Sequence, residues 1–479
     1  MKRNKKPNIL FIMDDQHNAR CLSCEGHPDV KTPNLDRLAE GGVRFTRAFA
    51  QSAICTPSRV SFFTGQYLST HGVFGNSGWL PPETLSLAYY LKKRAGYQTG
   101  AVGKLHLPRW ETDGLDYKRV CDSADVNPGE KTDYQLYLEK HGLGRYYRDF
   151  KNHEHFMAYI SPIPEKHCLE RWTADRAIEF IENRDPEKPF FLWLSFERPH
   201  SPHSPPPEKI GLYNPEKIKL PEKRSDYFYG KVYRSRPGVE NIWHIDHSGE
   251  ETFRKALSYY YTLITLIDEN IGRVIEKLDK EGLLDETIII FTSDHGDFAG
   301  EHGAIGKNMP TYDCLYRIPF IWFWKGRFLA GKVDNRLVES VDLFPTLCEL
   351  IGIPIPPQVQ GESLAGALTT PAGGPFREAV FFETPFVKTV RTERYKLSFY
   401  FKERMDGELY DLIKDPEERN NLFHNPEMAK VREDLLQRLL SWQIKIQQPR
   451  VIMPGWEDYP DWRWIRYLLE NKGVVKKDT

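Results

Sequence analysis

Buried apolar strands alternate with amphipathic helices along most of the sequence, and this alternation constrains the fold more than any other feature. The runs NILFIM, PFFLWLSF and TIIIF are apolar throughout, as is typical of parallel strands covered on both faces. Helical segments separate them, and the clearest, from about 251 to 280, carries one apolar stripe at intervals of three and four residues. The pattern predicts an α/β fold.

The pattern changes at PAGGP, residues 371–375. Beyond it, AVFFET, VKTVRT and YKLSFY are typical of short antiparallel strands, and EMAKVREDLLQRLLSWQIKIQ is typical of one amphipathic helix covering them. The sequence therefore predicts a large domain over 1–372 and a smaller α+β domain over 373–479. The second ends in an aromatic-rich tail, PGWEDYPDWRWIRYLLE, which we expect to pack onto the body or onto another subunit.

Charge and apolar runs argue against several classes of protein. The 66 Lys and Arg residues balance 67 Asp and Glu residues, so the chain has no overall attraction for nucleic acid or an anionic membrane. No apolar run reaches the roughly 18 residues that cross a bilayer. The apolar run after MKRNKK stops at two aspartates, too early for a signal peptide. We therefore expect a soluble, cytoplasmic protein that binds neither nucleic acid nor membrane.

Acidic residues follow two of the predicted strands. Asp14 and Asp15 end the first strand, and Asp294 and His295 end TIIIFTSDHG. Strand ends are where α/β sheets hold their chemistry, and three carboxylates gathered there would repel each other unless a cation lay between them. Either pair alone would be interpreted as solvated turn or cap residues. Occurring together, they predict a metal site.

The cysteines form no disulfide framework, because there are seven of them, unevenly spread. The pair Cys21 and Cys24 lacks the second pair or nearby histidines that a zinc site requires. Cys55 is different, because it stands two residues before Pro57 at the predicted start of a helix, where backbone N–H groups attract an anion. The alternative is a buried structural cysteine.

The stretch from Cys55 to Arg59, C-T-P-S-R, resembles the C-x-P-S-R signature of the sulfatase family of the alkaline phosphatase superfamily. Further similar segments are PNILFIMDDQ, GKLHL, FERPHSPH, SDHGD, GEHGAIGK and ELYDLIKDPEERNNL, which together run from Asn8 to Leu422. The resemblance implies an alkaline-phosphatase-like fold. Its catalytic domain, 1–372, would hold a large mixed, mostly parallel sheet flanked by helices, followed by the smaller domain with an antiparallel sheet.

In that family the cysteine is converted to formylglycine by a formylglycine-generating enzyme, and the resemblance implies the same for Cys55. The hydrate of this aldehyde has two hydroxyls. One attacks sulfur and releases the alcohol, and the other re-forms the C=O bond and expels sulfate. A thiolate would instead leave an S-sulfonated enzyme, whose release needs a second attack at sulfur.

The resemblance also implies a set of metal ligands and the identity of the ion. The expected ligands are Asp14, Asp15, residue 55, Asp294 and His295. Calcium is the expected ion. Many sulfatases have Asn where this chain has His295, and the branches similar to iduronate sulfatase and phosphonate hydrolase share the histidine. An imidazole nitrogen suits manganese or zinc better than calcium, so those ions stay open.

Roles for five further residues follow from the resemblance. Arg59 would hold the aldehyde hydrate, and Lys104 and Lys307 would bind the substrate and neutralise charge on the sulfonyl oxygens. His200 would bind the substrate and protonate the leaving alkoxide, and His106 would be the base that releases sulfate.

The sequence therefore predicts a sulfatase that hydrolyses the sulfate ester of a small molecule or a saccharide. The first alternative is a phosphonate monoester or phosphodiester hydrolase with the same nucleophile and metal, which the segments GAIGK and YRIPF suggest. The second is a catalytically silent binding protein with an unmodified thiol. A homo-oligomer is compatible with all three functions.

Overall fold

The computed structural model describes residues 6–81, 84–108, 110, 113–147, 158–220, 243–307, 311–371, 377–401 and 406–447. The predicted domain boundary at 372 and the predicted aromatic-rich tail lie outside these residues. The division into two domains therefore stays a prediction from the sequence.

The strands of the described segments are β1 (Asn8–Asp15), β2 (Val43–Phe49), β3 (Gln98–Gly103), β4 (Tyr117–Val120), β5 (Phe190–Pro199), β6 (Trp243–His244), β7 (Thr287–Ser293), β8 (Ala304–Ile305), β9 (Arg317–Ile318), β10 (Phe320–Phe323), β11 (Lys332–Glu339), β12 (Ala379–Glu383), β13 (Val387–Thr392), β14 (Tyr395–Tyr400) and β15 (Asp406–Asp411). The helices are α1 (Pro33–Gly41), α2 (Cys55–Thr64), α3 (Leu68–His71), α4 (Leu87–Ala95), α5 (Asp133–Lys140), α6 (Leu169–Glu182), α7 (Ile245–Ser248), α8 (Glu250–Lys280), α9 (Asp313–Tyr316), α10 (Leu343–Leu350), α11 (Ala365–Thr369) and α12 (Ala429–Ile446). None of these helices combines the length and apolarity needed to cross a membrane.

β1 lies inside a large sheet whose strand order is β11-β2-β10-β7-β1-β5-β3-β4, with β9 paired to β2 beside this path. β1 is parallel to both neighbours, β5 and β7, whereas β10 is antiparallel to β2 and β7. Every residue of β1 is buried, which explains its unbroken apolar sequence. The predicted mixed, mostly parallel sheet is confirmed.

Helices cover both faces of this sheet. Ile9, Phe11 and Met13 belong to an apolar cluster that includes residues of α2, α4 and α10. Leu10 and Ile12 point to the opposite cluster, which includes residues of α1, α6 and α8. Alternate side chains of β1 thus enter two separate cores, as the period of a strand requires.

A second sheet has the order β12-β13-β14-β15 and is antiparallel throughout. Its core combines Val390, Leu397 and Leu409 from the strands with Leu435 and Leu439 of α12. The predicted antiparallel sheet and its covering helix are confirmed. β15 was not predicted as a strand, although its last four residues open the segment ELYDLIKD.

Candidate active site

The ends of β1 and β7 bring the predicted acidic residues together. The two strands are parallel and in register, with Asp14 opposite Ser293, so that Asp294 follows directly beside the end of β1. The N–H of Asp294 donates to the carbonyl oxygen of Asp14 at 3.2 Å. Asp14, Asp15 and Asp294 are all inaccessible to solvent. Burying three carboxylates in one place is costly unless positive charge lies among them.

Four of the predicted metal ligands converge. One donor atom from each of Asp15, Cys55, Asp294 and His295 lies within 4.8 Å of the others. Two carboxylates and an imidazole form a donor set that fits a divalent cation. Asp14 lies outside this group of four, and its place as a ligand stays a prediction.

Asp14 nevertheless has one oxygen directed at no protein donor. Its Oδ2 contacts Nδ1 of His17 at 2.6 Å, whereas its buried Oδ1 has no hydrogen-bond partner among the described residues. Nε2 of His17 contacts the carbonyl oxygen of Cys21 at 3.0 Å, so both ring nitrogens are engaged. An unsatisfied buried carboxylate oxygen beside a donor cluster is the arrangement expected where a cation binds.

Cys55 is the first residue of α2 and is 1% exposed. Its Sγ lies 2.8 Å from Nζ of Lys307, 3.4 Å from Nε2 of His295 and 3.9 Å from Nζ of Lys104. Burial by itself would raise the pKa of Cys55, but Lys104, Lys307 and His295 outweigh it and hold that pKa well below the usual value for a thiol. The surroundings of the helix start therefore favour negative charge at position 55.

Arg59, one turn further along α2, binds the carboxylates and not the sulfur atom. Its Nε donates to Oδ2 of Asp294 at 2.8 Å, and its NH2 group donates to Oδ2 of Asp15 at 3.0 Å. Its NH1 group donates to the carbonyl oxygen of Lys104 at 2.7 Å. The guanidinium thus fixes two acidic ligands and one lysine at once. Its predicted role with the hydrate stays a prediction.

Lys104 and Lys307 approach the site from different loops, after β3 and after β8. Nζ of Lys104 lies 2.7 Å from Oδ2 of Asp15, and Nζ of Lys307 lies 2.6 Å from Nε2 of His295. Burial and Cys55 raise the pKa of Asp15. The positive charges of Lys104, His200 and Lys307 lower it by more, so the pKa of Asp15 lies far below its usual value. The neighbouring lysines therefore favour the ionised form of the Asp15 carboxylate.

The two predicted proton-transfer histidines both lie at this pocket. His106 lies near Cys55 and helps to lower the pKa of its thiol. Nδ1 of His200 contacts the carbonyl oxygen of Ser201 at 2.6 Å, which assigns the ring proton to that nitrogen and leaves Nε2 as the other reactive position. Their assignment as acid and base stays a prediction.

The structure adds residues that the sequence analysis missed. Gln16 donates its N–H to Oδ1 of Asp294 at 3.1 Å, and its Nε2 donates to Oδ2 of Asp297 at 2.5 Å. Asp297 also accepts the N–H of Gly306 at 3.1 Å, next to Lys307. Asp297 is the last residue of the motif SDHGD, and His17 follows Asp14 by three residues. Neither position alone predicts the buried contacts that Asp297 makes with Gln16 and His17 makes with Asp14.

Comparisons with known proteins agree with this geometry. The family model "Sulfatase" matches residues 7–353, and the model "N-sulphoglucosamine sulphohydrolase, C-terminal" matches 300–445. An arylsulfatase of Clostridium perfringens is 31% identical, over 92% of this chain and 95% of that protein. An N-acetylglucosamine-6-O-sulfatase of Bacteroides thetaiotaomicron is 29% identical, over 98% of this chain and 92% of the relative. A crystal structure of a phosphonate monoester hydrolase of Agrobacterium radiobacter superimposes with a TM-score of 0.80 at 25% identity, over 92% of this chain and 96% of that one.

Proposed function

This chain belongs to the sulfatase family, and we propose that it hydrolyses sulfate esters of saccharides, with residue 55 in its formylglycine form. The observation that carries the proposal is the convergence of Lys104, Lys307 and His295 on Sγ of Cys55, beside the carboxylates of Asp15 and Asp294. The sulfur atom of the unmodified cysteine stands in for the reactive group. Two lysine ammonium groups that meet at one buried atom suit the transfer of a negatively charged group.

The residues around position 55 divide the work of the reaction. Lys104 and Lys307 neutralise the charge that spreads over the sulfonyl oxygens as the ester bond breaks. His200 protonates the leaving alkoxide oxygen, and His106 accepts the proton that residue 55 must lose when sulfate departs. Arg59 keeps the carboxylates of Asp15 and Asp294 in place through its bonds of 3.0 Å and 2.8 Å. The hydrate of an aldehyde at position 55 supplies a hydroxyl nucleophile, and the aldehyde is re-formed as sulfate leaves, without a second attack at sulfur.

A divalent cation would be held by Asp14, Asp15, Asp294 and His295, with residue 55 facing it. Such an ion polarises a sulfate oxygen and lowers the pKa of the attacking hydroxyl. We propose calcium, because carboxylate oxygens dominate the donor set, with manganese or zinc as the alternatives that His295 supports. Metal analysis of the purified protein distinguishes them. The bound ion should also raise the melting temperature, and the substitution Asp294→Asn should remove that response.

Paired substrates test the activity. The protein is produced with a formylglycine-generating enzyme, and mass spectrometry of the peptide spanning residues 52–65 verifies the conversion. We expect a much higher kcat/KM on 4-nitrophenyl sulfate than on the matching aryl phosphonate monoester. The reverse ratio would favour the phosphonate hydrolase, for which the Agrobacterium radiobacter neighbour is the supporting observation. Retained sulfur at residue 55 without hydrolysis would favour a binding protein.

The saccharide part of the proposal needs its own assay. The supporting observation is the likeness to an N-acetylglucosamine-6-O-sulfatase along 98% of this chain. We expect inorganic sulfate to be released from 6-O-sulfated N-acetylglucosamine or a related sulfated sugar. Hydrolysis of aryl sulfates with no release from any sulfated saccharide would reject it. The converting enzyme as a partner, a homo-oligomer and the cytoplasmic location stay predictions.

A further inference from the structure

Asp125 lies in the loop after β4, at the edge of the large sheet. β3 and β4 are parallel, with Gly103 opposite Val120, so this loop runs beside the segment from Lys104 to His106 that follows β3. Oδ2 of Asp125 accepts the N–H of Leu105 at 2.8 Å, and Oδ1 accepts the N–H of His106 at 2.5 Å. One carboxylate thus holds two successive backbone amides.

The backbone at His106 needs such support. Its φ is +48°, in the left-handed region that residues with a side chain rarely adopt and keep only where the surroundings hold them. Lys104 on one side of Leu105 reaches to 3.9 Å from Sγ of Cys55, and His106 on the other side is close enough to Cys55 to contribute to the lowering of its pKa. Lys104 and His106 thus approach residue 55 from one short segment, whose backbone N–H groups at Leu105 and His106 are held by Asp125.

Asp122 completes the contact from the same loop. Its Oδ1 accepts the N–H of Ala124 at 3.0 Å, which forms the short turn that presents Asp125. Its Oδ2 lies 3.8 Å from Nζ of Lys104 and 3.9 Å from Nδ1 of His106. Burial, with Asp122 nearby, raises the pKa of Asp125 to about 6, so the carboxylate is ionised at neutral pH and both of its oxygens accept hydrogen bonds.

We propose that Asp125 is a positioning residue, which fixes Lys104 and His106 against residue 55 through the backbone that joins them. The inference rests on the proposed function for what those two side chains do. Asp125 is in none of the short motif segments named in the sequence analysis, although the sulfatase family model, which matches residues 7–353, spans it.

Two substitutions test the proposal in the converted enzyme. Asp125→Ala removes both acceptors, and we expect kcat on 4-nitrophenyl sulfate to fall about 10²-fold, since a misplacement of about 1 Å costs that much. KM should change less than kcat, because the interactions lost are those of the transition state. Asp125→Asn keeps the shape and one acceptor and should give a smaller loss in the same direction.

The matched control is Asp133→Asn. Oδ2 of Asp133 accepts the N–H of Val120 at 2.8 Å, so it is also a carboxylate that holds a backbone amide of this sheet edge, but it does not contact residues 104–106. We expect its kcat to stay within twofold of the parent enzyme. An equal loss of kcat in Asp133→Asn and Asp125→Asn would show that any destabilisation of this sheet edge lowers the activity. That result would overturn the proposal.

A second readout does not depend on activity. In protein with unmodified Cys55 and ¹³C-labelled histidine, the ring signal of His106 is assigned as the one lost in His106→Asn. We expect both Asp125 variants to shift or broaden that signal, and Asp133→Asn to leave it in place. If Asp125→Ala does not fold, Asp125→Asn decides.

The possible failures are distinguishable. An unmoved His106 signal in Asp125→Asn overturns the positioning role, and so does an unchanged kcat in that variant when the parent hydrolyses sulfate esters. A parent that hydrolyses no sulfate ester refutes the proposed function instead, and the NMR measurement then decides the positioning role alone.

Discussion

Two buried clusters of charged residues can be compared directly: the one around Cys55, and one between the antiparallel sheet and the start of α9. The second, which we name the interface cluster, consists of Asp313, Arg391, Lys396 and Glu418. Nζ of Lys396 contacts Glu418 and lies 3.4 Å from Oδ1 of Asp313, while the Arg391 guanidinium lies 3.2 Å from Oδ2 of Asp313. Two cations thus face two carboxylates, and each charge has an opposite charge as its neighbour.

The active-site cluster is arranged differently. Lys307 and Lys104 both reach toward one atom, Sγ of Cys55. Among the described residues, the carboxylate that Lys307 approaches is Asp15, whose Oδ1 lies 4.0 Å from Nζ of Lys307. Oδ1 of Asp14, which has no hydrogen-bond partner among the described residues, is a further buried acceptor that a cation could satisfy. The paired charges of the interface cluster stabilise the fold, whereas the lysines that converge on Cys55 are placed to bind an anionic substrate. We expect substitutions in the two clusters to separate stability from activity.

The largest effect should come from Cys55→Ala. Removal of the residue that bears the nucleophile should lower kcat by about 10⁴-fold or more, because what remains is binding and electrostatic stabilisation alone. Stability should change by less than about 1.5 kcal/mol, since one small buried side chain is shortened. Hydrolysis of 4-nitrophenyl sulfate and the melting temperature measure the two effects, with Cys24→Ala as the control. A residual rate above a few per cent of the parent would contradict the role of residue 55.

Lys396→Ala should act on stability alone. Asp313 and Glu418 would lose a buried counter-ion, which costs about 3–5 kcal/mol when one partner of such a pair is removed. Denaturant unfolding measures the loss, and kcat per folded molecule should stay within a few-fold of the parent. Lys325→Ala is the control, because Lys325 pairs with Asp285 in an exposed position, where an ion pair contributes little to stability. A large loss of kcat with unchanged stability would show that the interface cluster belongs to the site.

Lys307→Ala should show the opposite pattern. Loss of a preorganised cation at the reacting group should lower kcat by about 10² to 10³-fold. The free energy of unfolding should hardly change, because Asp15, the carboxylate that Lys307 approaches among the described residues, is 4.0 Å away and keeps Lys104 and Arg59 as closer partners. Both quantities are measured on the same preparation. A destabilisation equal to that of Lys396→Ala would remove the contrast between the clusters.

The smallest effect concerns a buried histidine outside both clusters. His71 accepts the N–H of Val73 on Nδ1 at 3.1 Å and contacts Oγ of Ser61 through Nε2 at 3.0 Å, which fixes the neutral ring. Burial lowers the pKa of His71 to about 3. Since the unfolded chain binds this proton near pH 6.5 and the folded chain does not, His71 contributes a loss of stability as the pH falls below about 6.5, approaching 1.4 kcal/mol per pH unit.

The substitution His71→Gln should therefore flatten the dependence of stability on pH between pH 6.5 and 5, a span over which His71 accounts for about 2 kcal/mol. Denaturant midpoints at several pH values measure it. A substitution at the exposed His141 serves as the control and should leave the slope as it is. An unchanged slope in His71→Gln would mean that the ring charges within the fold.

The parts of the structure that sequence could predict are those governed by local pattern. β1 and β7 were visible as unbroken apolar runs, and the meeting of Asp15 with Asp294 followed from parallel strand ends. β2 and β11 were missed, because VRFTRAF and KVDNRLVE mix charged and apolar residues in strands that are only partly buried.

The site itself was only partly readable. That Lys104 and Lys307 reach Cys55 was expected from the family resemblance and not from spacing, since the three residues come from loops and a helix far apart in the chain. Asp125 carried no signal at all. Its two bonds to backbone amides depend on the register between β3 and β4, which a sequence does not display.

The burial of α2 also sets an order of events in time. All ten of its side chains are buried, and Cys55 at its start is 1% exposed. Under the proposed conversion, the oxidising enzyme could not reach this side chain in the finished fold and would have to act while the segment is still extended, during or soon after synthesis. Maturation and folding would then compete for the same nascent chain, and a molecule that folded first would keep its thiol. The yield of working protein would depend on which of the two is faster.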